Sequence, residues 1–281
     1  RINPDMPTDA IEEALRTVLT PASPALIENN RRFHQMLTDG VDVSWMGPAG
    51  ERHGKAWLLD VEHPEQNDWL AVNQFTVIEN RQERRPDLVL FVNGLPLVVI
   101  ELKNPGTARS TIRHAFNQLR TYQQEIPSLF VYNEILAISD GMQARFGTLT
   151  AEWDRFMPWR TIDGTDLYRE PGNEKQSEGV PQPGMKPLIR GMFEPRRFLD
   201  YVLNFVTFEQ ADEGSEGMAK KAAGYHQYHA VNQALASTLM ACGIEADAGA
   251  LYARFAEAEA ADPFAVREPG AGCSATLGNR R

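Results

Sequence analysis

Apolar residues recur at two different spacings along the chain, and the spacing changes near Trp69. Residues 8–19 and 24–37 carry apolar side chains at three- and four-residue steps, as one buried face of a helix requires. From Trp69 onward the apolar runs become short, rich in β-branched and aromatic residues, and separated by Gly, Pro or Asn, which is typical of strands. These predicted strands are WLAVNQFTVIE, DLVLFV, LPLVVIEL, SLFVYN and EILAIS.

One helical pattern lies among the predicted strands. The segment TIRHAFNQLRTYQQEI, residues 111–126, repeats its apolar positions at three- and four-residue steps, which predicts a helix with one buried face. Strands and helices in this alternation indicate an α/β fold with a central mixed β-sheet flanked by helices.

Composition divides the chain into four segments. Residues 1–162 carry the strand and helix patterns and are expected to form the main domain. Residues 163–187 are rich in Gly, Pro and charge, as expected of a linker or mobile loop. Residues 188–237 return to helical periodicity and predict a short helical extension. Residues 238–281 form an Ala-rich, atypical tail that is expected to be disordered at its end.

The formal net charge of −10 argues against a protein that coats nucleic acid through bulk charge, because phosphate neutralisation needs clustered Lys and Arg. The cationic residues are unevenly placed, however, so a local basic strip or an ordinary solvated surface are both open readings. The cluster comprises Arg81, Arg84, Arg85, Lys103, Arg109, Arg113 and Arg120.

The two cysteines, Cys242 and Cys273, support neither a disulfide framework nor a zinc cluster. No run of apolar residues is long enough for a membrane span, and the first residues lack the order of a secretory signal. We therefore expect a cytoplasmic protein without a membrane partner.

The segment RRPDLVLFVNGLPLVVIELKNP, residues 84–105, concentrates the candidate chemistry. It predicts a β-hairpin that turns near Asn93-Gly94, with Asp87 at the start of one strand and Glu101 and Lys103 at the end of the other. Glu101 and Lys103 are two residues apart and therefore share one face of the sheet.

Register decides whether Asp87 joins them. A two-residue turn at Asn93-Gly94 would pair Phe91 with Pro96 and place Asp87 on the wrong face. We therefore predict a three- or five-residue connection, which pairs Phe91 with Leu97 and sets Asp87 opposite Glu101.

Two carboxylates brought this close repel one another, and a divalent cation such as Mg²⁺ stabilises both in ionised form. The cation would make a bound water more acidic and neutralise charge on a phosphodiester, while the Lys103 ammonium group would orient the water or the phosphate. The alternative is a surface ion pair between Glu101 and Lys103, worth about 0 to 1 kcal/mol, with Asp87 capping a turn.

Pro86-Asp87 followed by Glu101-Leu102-Lys103 resembles the PD-(D/E)xK nuclease signature. The surrounding text, including NQFTVIE and AFNQLRTYQQEIPSLFVYNEILAISDG, resembles the N-terminal region of type I restriction endonuclease R subunits, from about residue 25 to residue 231. The resemblance implies a PD-(D/E)xK nuclease-like fold and a Mg²⁺-dependent endodeoxyribonuclease. It makes Asp87 and Glu101 the metal ligands, the Leu102 carbonyl a candidate third ligand, and Lys103 the activator.

The same resemblance assigns supporting roles beyond the hairpin. Gln118 and Tyr122 match a Gln-x-x-x-Tyr element and face one way on their helix, although Tyr122 also fits a plain core position. Glu28 is the candidate for an additional upstream acid, the alternative being an ordinary solvated helix residue.

Residues AGYHQYHAVNQAL resemble the start of the ATP-dependent translocase of these subunits, and Gln227 matches a Gln that recognises adenine. The pair His226 and His229 is too sparse for a metal site. No Gly-x-x-x-x-Gly-Lys-Ser/Thr loop occurs in the 281 residues, so ATP is expected only for the full-length parent enzyme.

The resemblance also implies partners: double-stranded DNA and the methylation and specificity subunits of a type I restriction complex, in which cutting follows ATP-driven translocation. Two other interpretations stay open. In the first, the chain is a noncatalytic fragment that only docks in such a complex. In the second, it is a stand-alone repair nuclease of the same superfamily.

Overall fold

The computed structural model describes residues 2–48, 50–104, 111–170, 180–181, 183–210 and 217–242. Its helices are, in chain order, α1 (Thr8–Leu19), α2 (Leu26–Asp39), α3 (Ile112–Glu125), α4 (Pro127–Phe130), α5 (Met185–Pro187), α6 (Pro195–Phe205) and α7 (Tyr225–Ala241). Its strands are, in chain order, β1 (Val41–Gly47), β2 (Gly50–Ala56), β3 (Trp69–Asn73), β4 (Val77–Glu79), β5 (Gln82–Arg84), β6 (Leu88–Val92), β7 (Leu95–Leu102), β8 (Ile135–Ser139), β9 (Ala144–Gly147), β10 (Tyr168–Arg169), β11 (Val180–Pro181), β12 (Val206–Gln210) and β13 (Met218–Ala222).

Five strands form a central mixed sheet in the order β3-β6-β7-β8-β9. The pair β7 and β8 is parallel, and the other three pairs are antiparallel. Parallel neighbours need a crossover connection, and α3 supplies it while packing against both strands. The mixed α/β architecture predicted from the sequence is confirmed.

Alternate residues of β7 enter two different cores. Val98 and Ile100 belong to a core that α1 and α6 also line, whereas Val99 packs with the apolar face of α3. All three side chains are almost fully buried. The uninterrupted apolar run in this strand therefore reflects burial on both faces of the sheet. By the same alternation, Glu101 lies on the face that α3 covers.

The turn of the β6–β7 hairpin is shorter than predicted from the sequence. Val92 pairs with Leu95 and Phe91 with Pro96 around a two-residue Asn93-Gly94 turn, so the predicted longer connection is wrong. Asn93 and Gly94 have φ angles of 52° and 80°, as the twist of a tight hairpin requires.

The register nevertheless changes one residue further on. Leu90 pairs with Val98 and Leu88 with Ile100, because a β-bulge takes up one extra residue at Leu97. Pro96, which has no N–H to donate, stands beside the bulge, where such a residue is tolerated. Continuing this register places Asp87 opposite Glu101, as predicted.

Several other elements differ from the sequence expectation. SLFVYN, predicted as a strand, begins as the short helix α4, and the helical periodicity of PRRFLDYVLNFVTFE ends at Phe205, where β12 starts. The hairpins β1–β2 and β12–β13 were not anticipated. The tail beyond residue 242 lies outside the described residues. Within the described ranges, no helix combines the length and apolarity that crossing a membrane requires.

Residues on both sides of the predicted boundary at residue 162 share one hydrophobic core. Phe198 and Val202 of α6 pack in the same cluster as Leu37 of α2 and Leu97 of β7. The helical extension therefore packs onto the main body rather than standing apart from it.

A fully buried polar group, here called the Lys220 cluster, joins α2, β8 and β13. The Lys220 ammonium group donates to Glu134 Oε2 at 2.7 Å, to the Asn133 carbonyl at 2.8 Å and to Asn30 Oδ1 at 3.0 Å. His34 Nδ1 lies 3.0 Å from the same Glu134 oxygen. The hairpin β12–β13 is thus fastened to the far end of the sheet from Glu101.

Candidate active site

Two carboxylates converge at the edge where β6 begins and β7 ends. Asp87 Oδ2 accepts a hydrogen bond from the backbone nitrogen of Leu102 at 2.9 Å, which fixes Asp87 beside the end of β7. Glu101 precedes Leu102 and is 1% exposed. Because N–H and C=O of one residue in a strand point to the same side, the Leu102 carbonyl also faces the Asp87 side of β7.

Lys103 links the sheet to α3. Its ammonium group donates to Glu101 Oε1 at 2.8 Å and to Gln118 Oε1 at 2.7 Å. The Gln118 amide nitrogen in turn donates to the hydroxyl of Tyr122, one helical turn later. The Gln-x-x-x-Tyr residues therefore contact the predicted cluster, and Tyr122 is at once a hydrogen-bonding partner and a buried member of the α3 core.

These residues, Asp87, Glu101, Lys103, Gln118 and Tyr122, are called the acid–lysine cluster below. The local sequence explains its assembly: the bulge sets the register of Asp87, strand alternation places Glu101 and Lys103 on one face, and helical spacing aligns the two α3 residues. All five were predicted from the sequence and its family resemblance, and the structure brings them together.

Burial leaves Glu101 in an unusual electrostatic state. Desolvation raises the pKa of its carboxyl to about 7, the hydrogen bond from Lys103 opposes the shift, and the charge of Asp87 adds to it. Its second oxygen, Oε2, is buried and has no hydrogen-bond partner among the described residues. An unsatisfied carboxylate oxygen beside a second carboxylate suits a hard cation with oxygen ligands.

Tyr122 experiences the same surroundings. Its pKa is raised, first because the ring is buried and then because the charges of Glu101 and Asp87 disfavour the phenolate, while the bond from Gln118 acts in the opposite direction. The hydroxyl therefore stays protonated at neutral pH and is available as a donor.

The donor set fits Mg²⁺ with ligands supplied by Asp87, Glu101, the Leu102 carbonyl and water. Within the described ranges, no group of three or more His, Cys, Asp or Glu side chains is placed to hold a metal. Glu28 is thus not brought to the cluster: it accepts a hydrogen bond from Ser23, and its helix α2 packs against α4 and β13.

Sequence reasoning missed Gln74. Its side-chain amide donates to Asp87 Oδ1 at 2.8 Å, and its backbone nitrogen donates to the Asp87 carbonyl at 2.9 Å. Its φ angle of 54° lies in the left-handed region, which is uncommon for a residue other than glycine. The only sequence signal is its place in the break between β3 and β4.

Gln227 and the two nearby histidines lie at the start of α7. Gln227 is exposed, and its side-chain oxygen accepts a hydrogen bond from the backbone nitrogen of Gly224 at 2.7 Å, so it caps the helix. His229 packs on the rings of Trp159 and Tyr228. The adenine-binding role of Gln227 stays a prediction.

The family model described as "Type I restriction enzyme R protein N terminus" matches residues 1–155. The chain is 38% identical over 252 residues to the type I restriction enzyme HindI endonuclease subunit of Haemophilus influenzae, covering 88% of this chain and 23% of that protein. It is 30% identical over 206 residues to the type I restriction enzyme EcoprrI endonuclease subunit of Escherichia coli, covering 70% of this chain and 58% of that protein.

An archaeal protein of Methanocaldococcus jannaschii, provisionally named as a type I restriction enzyme MjaIXP endonuclease subunit, is 28% identical over 254 residues, covering 85% of this chain and 23% of that protein. The chain therefore spans about a quarter of the length of the H. influenzae and M. jannaschii relatives. More than half of its 281 residues match the family model, and the chain belongs to the family of type I restriction enzyme R protein N termini.

Proposed function

We propose that the chain is the Mg²⁺-dependent endonuclease module of a type I restriction enzyme, and that its acid–lysine cluster is a PD-(D/E)xK site that hydrolyses DNA phosphodiester bonds. The observation that carries the proposal is the buried Glu101, whose oxygen Oε2 lacks a hydrogen-bond partner among the described residues. The Glu101 carboxylate lies beside the charge of Asp87, and its other oxygen accepts a hydrogen bond from Lys103. The family membership supports a restriction nuclease.

The burial of Glu101 favours a bound cation in this arrangement. An ionised carboxylate that is 1% exposed and adjacent to a second carboxylate is costly unless a cation accompanies it. Lys103 offsets part of this cost through one oxygen of Glu101 only. The remaining oxygen and the Asp87 carboxylate are left to hold Mg²⁺, which when bound acts as a Lewis acid at the phosphodiester and makes nearby water more acidic.

Asp87 and Lys103 have separate roles in the proposed reaction. Asp87 is held in place by Gln74 and by the backbone of Leu102, so its carboxylate is oriented before any substrate arrives. The Lys103 ammonium group carries three protons, of which two are engaged by Glu101 and Gln118. The third is free to donate to a phosphate oxygen or to the attacking water.

Gln118 and Tyr122 position Lys103 from the side of α3. The Gln118 oxygen accepts from Lys103, and its amide donates to Tyr122, so Tyr122 orients the amide that holds the ammonium group. Loss of either residue would loosen the ammonium group without removing it. We assign them positioning roles in the proposed reaction.

The remaining features belong to the larger assembly. By family membership we propose that the chain works with a motor that binds ATP, with Gln227 contributing to adenine recognition, and with methylation and specificity subunits on double-stranded DNA. Cytoplasmic location goes with this proposal. The chain described here carries the cutting step.

The test is nicking of a supercoiled plasmid by the purified 281-residue chain, with Mg²⁺ or with EDTA. We expect Mg²⁺-dependent nicking that Asp87→Ala and Lys103→Ala abolish. Asp42→Ala and Lys55→Ala, which remove an exposed ion pair in the β1–β2 hairpin, serve as matched controls and should nick like the parent chain. Circular dichroism verifies that each variant is folded.

The absence of nicking at high protein concentration would overturn the proposal for this chain and favour the noncatalytic docking fragment. Multiple turnover on linear and damaged DNA, in addition to nicking of the supercoiled plasmid, would favour the stand-alone repair nuclease.

A further inference from the structure

A cleft opens beside the acid–lysine cluster, between β5 and α3. It has a volume of about 560 Å³, and the residues that line it are mostly of polar or charged types. Glu83 and Arg85 line it from the strand side, Asn117 and Thr121 from the helix side, and Gln118 is common to the cleft and the cluster. The cleft thus leads directly to the residues proposed to carry the chemistry.

The helix wall presents hydrogen-bonding groups at one-turn spacing. Asn117 and Thr121 are exposed and four residues apart, so both side chains lie on the same face of α3. Amide and hydroxyl groups of this kind contact phosphate and sugar oxygens in protein–DNA interfaces. The wall is suited to a polar, phosphate-bearing ligand rather than to an apolar one.

The cationic residues near the cleft are mostly neutralised. Arg84 makes a two-pronged ion pair with Glu125, Arg120 pairs with Glu152, and Lys103 pairs with Glu101. Arg113 lies over the ring of Trp153, with 4.7 Å between its guanidinium carbon and the ring centroid. Arg109 lies outside the described residues.

Two arginines of the predicted basic strip differ from the rest. Arg81 and Arg85 are both exposed, and neither has an anionic partner within the described ranges. Arg85 lines the cleft, whereas Arg81 lies in the turn between β4 and β5 and does not. An unpaired guanidinium group beside a polar cleft is a ready contact for a phosphate.

We propose that this cleft binds the sugar-phosphate backbone of the DNA strand being cut, next to the scissile phosphodiester, with Arg85 contacting a phosphate. The inference deepens and rests on the nuclease function proposed above. The cleft is open to solvent, and its volume is in the range of small-ligand sites, which is sufficient for a short stretch of one sugar-phosphate backbone.

Substitution of Glu83 should change DNA binding in the opposite direction to substitution of Arg85. It is the one carboxylate in the lining of the cleft, and its charge opposes an incoming phosphate. If the cleft binds DNA, removal of this charge should strengthen binding, whereas removal of Arg85 should weaken it. A purely structural role for either exposed residue would not produce opposite effects.

The experiment measures binding of a short fluorescein-labelled single-stranded DNA to the full chain in EDTA, by fluorescence anisotropy across a salt series. We expect Arg85→Ala to raise Kd about fivefold, as loss of one exposed charge contact would. The slope of log K against log salt should become shallower by about 0.7, the value for one phosphate on a single strand. Glu83→Gln should lower Kd, and Arg85→Lys should retain most of the affinity.

Arg81→Ala is the matched control, because Arg81 is also exposed and has no anionic partner within the described ranges, but lies outside the cleft. Equal effects of Arg81→Ala and Arg85→Ala, or no binding by the parent chain, would overturn the inference. Plasmid nicking separates the two proposals. If Arg85→Ala leaves nicking unchanged, the cleft proposal alone is overturned. If DNA binding depends on Arg85 but the chain does not nick, the cleft proposal stands and the nuclease proposal is overturned.

Discussion

The backbone nitrogen of Leu102 donates a hydrogen bond to Asp87 Oδ2 at 2.9 Å, so the two strands of the hairpin are tied together at the point where their acidic residues meet. This bond forms only because the bulge at Leu97 restores the register that the tight turn would otherwise spoil. Five properties of the site and of the rest of the fold are open to measurement.

Divalent cations should stabilise the folded chain through Asp87 and Glu101. A ligand that binds only the folded state adds RT ln(1 + [L]/Kd), which is about 1.4 kcal/mol at ten times Kd. Urea unfolding with and without Mg²⁺ should show this gain for the parent chain and for Asp42→Ala. Asp87→Ala and Glu101→Gln should show none, and an undiminished gain in both would place the cation elsewhere.

Lys103 and Glu101 should be energetically coupled in the absence of metal. Lys103→Met leaves a buried carboxylate with neither oxygen hydrogen-bonded by the ammonium group, and should lower the free energy of unfolding at pH above 7 by about 1–3 kcal/mol. Glu101→Gln in the same background should recover most of the loss. A double-mutant cycle in urea measures the coupling; strictly additive effects would contradict it.

Gln74 should act on the cation through Asp87. Its amide holds Asp87 Oδ1, and loss of such a supporting hydrogen bond weakens metal affinity roughly tenfold. We therefore expect Gln74→Ala to raise the Mg²⁺ concentration needed for half-maximal nicking while leaving the rate at saturating Mg²⁺ nearly unchanged. Gln35→Ala, an exposed substitution on α2, is the control. A fall in rate alone would indicate a role other than holding Asp87.

Removing only one ion of the Lys220 cluster should strongly lower the free energy of unfolding. Lys220→Met leaves Glu134 buried without its cation, which is expected to lower the free energy of unfolding by about 3–5 kcal/mol. Lys221→Met is a matched control one residue away, because Lys221 is exposed and its ion pair should contribute about 0–1 kcal/mol. If Glu134→Gln fails to rescue part of the Lys220→Met loss, the pairing is not the cause.

His229 should make stability depend on pH. Burial first, and the nearby charge of Arg197 second, lower its pKa to about 4, and Asp163 opposes the shift. The unfolded chain takes up this proton as pH falls below about 6.5, and the folded chain does so only near 4. The stability contribution is therefore complete above pH 6.5 and is lost as pH falls toward 4.

His229→Gln should flatten the pH profile of urea unfolding across that window. Because the His229 residue is only half-buried, we expect a difference of about 1–2 kcal/mol rather than the full shift. His226→Gln, at an exposed position on the same helix, should follow the parent profile.

The family resemblance selected the residues of the acid–lysine cluster, and local periodicity explains how they come together. Glu101 and Lys103 share a face through strand alternation, and Gln118 and Tyr122 share one through helical spacing. The correct opposition of Asp87 and Glu101 was reached through an incorrect loop, since hairpin parity has two solutions: a longer turn or a bulge. Local preference at Asn93-Gly94 selected the bulge.

Other features depend on contacts that periodicity does not encode. Gln74 reaches Asp87 from the break between β3 and β4, and the bonds between Lys220 and Glu134 join residues 86 positions apart. SLFVYN has strand-like composition, but Pro127 opens a helical turn that carries the chain from α3 to β8. Tertiary packing decided each of these cases.

The enclosure of Lys220 has a mechanical consequence. Pulling β13 away from α2 and β8 would strand an unpaired ion in the protein interior, so the hairpin before α7 resists separation from the sheet. A displacement of α7 therefore either moves the hairpin and the sheet together or is taken up by the residues between β13 and α7.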